Sequence, residues 1–205
     1  MKEWDSLIDD FTRHLISRYT LEEVKQWPFT VWNEPVTSKK MFGFGDDALF
    51  FRFYKHTYDT VKRLCPEIQF GSPSMLYIEN LGNADWIYRF IGWCREQSCM
   101  PDFMNIHYYA DIILPTSSDD FFLTKATASC FPKATDDFSL FIGGIKKIFK
   151  TLGVQDKPVY MTEWNFTMSH RNLISDTSFK TCYIMKNLLK NYDRLDSFCY
   201  WSLTT

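Results

Sequence analysis

The strongest constraint on this chain is an alternation: segments with apolar residues at helical spacing are each followed by a short apolar run. Residues 4–18 put Trp4, Leu7, Ile8, Phe11, Leu15 and Ile16 on one helical face. Thr20-Leu21-Glu22-Glu23 has the capping-box pattern that opens a short second helix, Pro28 ends it, and "FTVWN" (29–33) reads as a strand. The same order then recurs. Helices are expected over 47–64, 84–97, 136–152 and 176–190, the third closing on Gly153 as a C-terminal glycine. They lead to the strands "IQFGS" (68–72), "DFMNIHYY" (102–109), "VYMTEWN" (159–165) and "SFCYWS" (197–202). Five short apolar strands separated by helices are the pattern of parallel βαβ units. The longer gap, "ILPTSSDDFFLTKATASCFPKATDD" (113–137), reads as a surface loop. At 205 residues the chain is long enough for one domain with a sizeable core, so 1–205 is taken as part of a single domain.

Composition removes several function classes. The formal charge is −2 with no basic block, so the electrostatic footprint of a nucleic-acid partner is missing. No apolar run reaches the roughly 18 residues that a membrane span needs. "MKEWDSLIDDFTRHL" carries acids throughout and has no apolar core of a secretory leader, which leaves localisation open. Cys65, Cys94, Cys99, Cys130, Cys182 and Cys199 contain no CxxC pair, so zinc-finger spacing is absent and most are expected to be buried and reduced. His14, His56 and His170 have no metal-ligand spacing; neither metal nor cofactor is expected. Aromatic residues reach 18%, a supply of rigid surface suited to a core and to stacking on sugars.

The unusual residues lie at the strand ends. Asn33 and Glu34 end the first strand, Ser72 and Ser74 the second, and His107 and Tyr109 the third. Glu163, Trp164 and Asn165 end the fourth, and Trp201 and Ser202 the fifth. (β/α)8 barrels gather their chemistry at the C-terminal ends of parallel strands. An open doubly wound sheet does so too, but "MFGFGDD" (41–47) lacks the glycine fingerprint of a phosphate loop, so a barrel is favoured. Glu34 and Glu163 stand at equivalent places on two strands, where a carboxylate is costly unless partnered or used. Two such groups suit an acid and a base facing one substrate. Spacing alone leaves open the plainer alternative, in which Glu34 caps a helix and Glu163 pairs with an arginine.

The residues themselves carry a resemblance. "WNEP" (32–35) and "TEWN" (162–165) resemble the acid/base and nucleophile strands of retaining glycosidases built on (β/α)8 barrels. With "LISRYTLEEVKQWPFTVWNEP", "FGSP", "NIHYY", "KPVYMTEWN" and "DSFCYWS" in order, the whole chain resembles glycoside hydrolase family thirty-nine, best known for β-xylosidases. The resemblance implies a partial TIM (β/α)8 barrel of about five parallel βα units, strands four to eight, with an open side. It implies Glu34 as general acid/base and Glu163 as nucleophile of a double displacement, with carboxyls about 5–5.5 Å apart. It implies that Asn33 hydrogen-bonds the sugar 2-hydroxyl and that His107 and Tyr109 orient the nucleophile and touch the sugar. Trp164 and Asn165 flank the nucleophile as substrate contacts, and Trp201 forms a stacking wall. The implied partner is a β-xyloside or related oligosaccharide.

Strands one to three have no counterpart, and five strands do not close a barrel by the usual geometry. The chain is therefore read as a fragment of a longer hydrolase, with weak or no turnover, whose open edges are covered by a second copy in a homo-oligomer. Two alternatives remain: α-L-iduronidase-like or other retaining specificity on the same fold, and a non-catalytic carbohydrate-binding protein, against which the paired glutamates count. "NFT" (165–167) fits a glycosylation sequon, but Asn165 adjoins the proposed nucleophile and is expected to be unmodified.

Overall fold

The computed structural model describes residues 1–36, 44–76, 83–110, 136–167 and 173–202. Its elements follow the expected order. Helices α1 (Lys2–Tyr19) and α2 (Leu21–Val24) precede strand β1 (Pro28–Phe29), and α3 (Asp47–Leu64) precedes β2 (Gln69–Phe70) and β3 (Met75–Leu76). Helix α4 (Asn83–Glu96) leads to β4 (Met104–Tyr109), α5 (Asp137–Thr151) to β5 (Val159–Asn165), and α6 (Ser178–Asn191) to β6 (Ser197–Tyr200). A 3₁₀ turn, Leu173–Asp176, precedes α6. The strand pairs β1–β2 and β5–β6 are parallel, and the strands do not close into a barrel among the described residues. The proposed surface loop at 113–137 lies almost wholly outside the described residues, as do Cys130 and His170.

The chain divides into two compact units, 1–105 and 106–205. In the first, α3 presents Phe50, Phe53, Tyr54, Thr57 and Val61 to the interior at helical spacing. Its N-terminus is capped by Asp46, whose carboxylate accepts the Leu49 N–H at 2.9 Å. Helix α1 docks on it through Trp4, whose ring lies 4.8 Å from that of Phe53 and whose indole N–H donates to Thr57 Oγ1 at 2.9 Å. Phe50, Tyr54, Phe70 and Phe90 are essentially fully buried, each burial worth roughly 1.5–3 kcal/mol. Burial also pushes the Tyr54 phenol well above its ordinary pKa, so it stays neutral and donates to the Gly71 carbonyl at 3.2 Å.

The N-terminal ends of the strands are tied by one ion pair. Lys62 Nζ donates to the Pro66 and Ile68 carbonyls and, at 2.7 Å, to Asp102 Oδ2, which also accepts the Phe70 N–H at 2.8 Å. In the second unit, β4, β5 and β6 lie side by side, and α5 covers them with Phe138, Phe141, Ile142, Ile145 and Phe149.

The structure corrects the expectation for the first strand. Strand β1 is ladder-paired only over Pro28–Phe29, with Phe29 opposite Phe70; "FTVWN" does not run on as a strand. The backbone of "WNEP" is not extended: φ is 68° at Trp32 and 42° at Glu34. A following proline disfavours the right-handed helical region, and here the backbone leaves it through positive φ. The cysteines divide: Cys65, Cys94 and Cys99 are buried free thiols, whereas Cys182 and Cys199 are exposed.

Two glycines give opposite outcomes. A Cβ on Gly71 would meet the Phe103 ring at 2.1 Å, whereas one on Gly92, inside α4, meets nothing within 4 Å. Gly71→Ala is expected to destabilise by about 3 kcal/mol. Gly92→Ala is expected to stabilise by up to about 1 kcal/mol, because alanine loses less backbone freedom in a helix. Urea midpoints of the two variants check both signs.

Candidate active site

The segment after β1 carries Asn33 and Glu34, and serines from the segment after β2 hold it. The Glu34 N–H donates to Ser74 Oγ at 3.2 Å, and the same hydroxyl donates to Asn33 Oδ1 at 2.9 Å. Thr30 Oγ1 donates to the Ser72 carbonyl at 2.7 Å, and Ser72 Oγ accepts the Asn105 N–H at 2.8 Å. Glu34 is 5% exposed, and the half-buried Asn33 lies beside it. Positive φ at Trp32 and Glu34 costs about 1–3 kcal/mol each and persists only where neighbours over-determine the backbone. Ser74 is such a neighbour, since it holds both Asn33 and Glu34.

Strands β4 and β5 build a second cluster. Tyr109 Oη donates to Glu163 Oε2 at 2.7 Å, a charge-assisted bond to a partly exposed carboxylate. His107, 1% exposed, approaches the same oxygen with Nδ1 at 3.5 Å and places Nε2 3.1 Å from Thr162 Oγ1. Strict alternation would send Thr162 and Glu163 to opposite faces of the strand. A register shift lets one ring address both: Met161 pairs with Phe198 but Trp164 pairs with Tyr200, three residues against two. One extra residue in a strand is a β-bulge, which re-aims a side chain.

The remaining strand-end residues separate. Trp164 is fully buried, its ring 5.0 Å from Phe138 and 5.8 Å from Tyr200, in the core rather than at the surface. Asn165 is 5% exposed and its amide is committed: Oδ1 accepts from the Phe166 N–H at 2.6 Å and the Tyr200 hydroxyl at 3.1 Å, and Nδ2 donates to the Trp201 carbonyl. Trp201 is 47% exposed and is fixed through its main chain, its N–H donating to the Trp164 carbonyl at 3.0 Å. Sequence reasoning named neither Thr162 nor Ser74 as a site residue. Ser74 was visible as a strand-end hydroxyl, whereas Thr162 is brought in by a bulge that no residue type announces.

The chain was compared with known proteins. The family model for glycosyl hydrolases family 39 matches residues 1–205. The chain belongs to that family. It is 30% identical over 205 residues to a β-xylosidase of Caldicellulosiruptor saccharolyticus and 28% identical to one of Geobacillus stearothermophilus. These alignments take in 99% and 98% of this chain, which spans 38% of the length of each of these curated relatives. Among solved structures, a monomeric β-xylosidase from Caulobacter crescentus CB15 superposes with a TM-score of 0.81 at 24% identity, covering 98% of this chain and 38% of that one. The family 39 enzyme of Xanthomonas axonopodis pv. citri matches with the same score and identity. The likeness to both is one of fold.

The Asn165 contacts predict a structural cost. Asn165→Ala leaves the Phe166 N–H and the Trp201 carbonyl without these partners. It is expected to destabilise by about 2–3 kcal/mol in denaturant melts. Asn165→Asp keeps the acceptor and is expected to lose less.

Proposed function

We propose that this chain supplies the acid/base, the nucleophile and part of the sugar-binding wall of a retaining, β-xylosidase-like glycoside hydrolase. It would correspond to strands four to eight of one (β/α)8 catalytic domain. The observation that carries the reading is the setting of Glu163, a strand-end carboxylate whose Oε2 is addressed by Tyr109 and His107. Family membership supports the reaction class.

In this reading Glu34 protonates the glycosidic oxygen as Glu163 Oε1 attacks the anomeric carbon, and the aglycone leaves as an alcohol. Glu34, now a carboxylate, takes a proton from water, whose oxygen attacks the same carbon and releases Glu163. Two inversions give net retention, and the two carboxyls must face one sugar about 5–5.5 Å apart. Among the described residues, Tyr109 and His107 both address Oε2, which suits an attack by Oε1. Asn33 hydrogen-bonds the sugar 2-hydroxyl and Trp201 offers its exposed indole for stacking. The substrate is a β-xyloside or related oligosaccharide. Turnover by the 205-residue chain alone is weak, and its strand edges pair with a second copy.

An aryl 2-deoxy-2-fluoro-β-xyloside tests the assignment, because it forms the glycosyl ester but releases it slowly. Incubation is expected to add one fluoroxylosyl mass to the peptide containing Glu163, and Glu163→Gln to abolish it. Glu34→Ala is expected to lower hydrolysis of poorly activated xylosides about 10²–10⁴-fold. Label on another carboxylate, or an inverted product, would overturn the mechanism. Family-like turnover by the isolated chain, or a clean monomer by light scattering, would overturn the weak-activity or pairing proposal respectively.

A further inference from the structure

We infer that Thr162 is a positioning residue. Its hydroxyl donates to Nε2 of His107 and thereby holds the imidazole in the tautomer that carries its hydrogen on Nδ1, facing the Glu163 carboxylate. An ionised carboxylate only accepts, so the ring nitrogen nearest to it, Nδ1 at 3.5 Å from Oε2, is favoured as N–H and disfavoured as a lone pair. A neutral imidazole with hydrogen on Nδ1 has a bare Nε2, which needs a donor because His107 is 1% exposed. The group 3.1 Å from Nε2 is Thr162 Oγ1, a hydroxyl that rotates to donate or accept. For a neutral ring, Thr162 donating makes the contacts of both nitrogens agree.

The alternative tautomer, with hydrogen on Nε2, satisfies Thr162 equally well but points a nitrogen lone pair at Glu163. Free histidine prefers that alternative, so the protein must impose the one inferred here. The contact to Glu163 is long for a hydrogen bond and acts chiefly through charge. Tyr109 donates to the same oxygen at 2.7 Å, so the inferred hydrogen on Nδ1 adds a second favourable dipole at Oε2. The bulge in β5 makes this possible, because it lets consecutive residues 162 and 163 meet the two nitrogens of one ring.

The importance of this arrangement for turnover rests on the glycosidase reading above, but the tautomer does not, so the two can fail separately. The test is a two-bond ¹H–¹⁵N correlation spectrum of the 205-residue chain labelled at histidine, with His107 identified through His107→Gln. In the unaltered protein His107 is expected to show the neutral pattern with hydrogen on Nδ1. Thr162→Val, which keeps the shape and removes the hydroxyl, is expected to move most of the population to the Nε2–H form, and Thr162→Ser to restore the original pattern. An Nε2–H or doubly protonated His107 in the unaltered protein would overturn the inference. So would an Nδ1–H ring that persists unchanged in Thr162→Val.

Discussion

Where a parallel strand ends, its last N–H and C=O groups lose their ladder partners while still largely hidden from water, and each must find another partner. That requirement organises the strand ends of both units. In the first, Thr30 reaches the Ser72 carbonyl, Ser72 receives the Asn105 N–H, and Ser74 receives that of Glu34. In the second, Asn165 takes the Phe166 N–H and donates to the Trp201 carbonyl. Short polar side chains close the backbone here because they reach main-chain groups without filling the space where a ligand would stand. The same groups that end the strands therefore hold the candidate catalytic residues in place.

The second consequence concerns direction. A strand normally divides its residues evenly between two faces, and "TEWN" contains one large apolar group, one carboxylate and two small polar groups in sequence. The bulge between Met161 and Trp164 divides them unevenly. Thr162 and Glu163 both meet His107, while Trp164 enters the core against Phe138 and Tyr200. Burying that indole adds large apolar contact at the strand end, although its N–H finds no partner among the described residues. Tyr200 in turn is held at the same corner, with Lys180 Nζ 5.6 Å above its ring and its hydroxyl on Asn165. Packing on one face thus fixes the polar geometry on the other.

Much of this was legible in the sequence because helical periodicity is a long-range, redundant signal. The helices expected at 47–64, 84–97, 136–152 and 176–190 form at Asp47–Leu64, Asn83–Glu96, Asp137–Thr151 and Ser178–Asn191. The expected strand at 159–165 forms with those bounds, whereas the other four are shorter than expected and Met75–Leu76 was not anticipated. "FTVWN" has strand composition throughout, yet its ladder stops at Phe29, since pairing depends on a neighbour that the sequence does not name. The same blindness hid the bulge. Trp164 and Asn165 adjoin Glu163 in sequence and are expected there as substrate contacts. One lies in the core and the other spends its amide on the backbone, a distinction that only cross-strand register reveals. Glu34 and Glu163 stand out in the sequence for another reason: a carboxylate at a buried strand end demands an explanation from residue type alone.

The arrangement around Glu163 also bears on how a carboxylate can be both held and reactive. A carboxylate ringed by donors on both oxygens is well stabilised but a poor nucleophile, whereas one with none is free to rotate. Here the two contacts from β4, Tyr109 Oη and His107 Nδ1, converge on Oε2. Stabilising one oxygen fixes the plane of the group, since the two oxygens are rigidly linked, and leaves the electron density of the other less drawn upon. The donors are the phenol of the partly buried Tyr109 and the ring of His107, which is almost fully buried. In the nucleophile role proposed above, Glu163 would gain orientation from these contacts at a modest cost in nucleophilicity. A cationic partner at the same distance would hold the carboxylate more strongly and hinder bond formation to carbon.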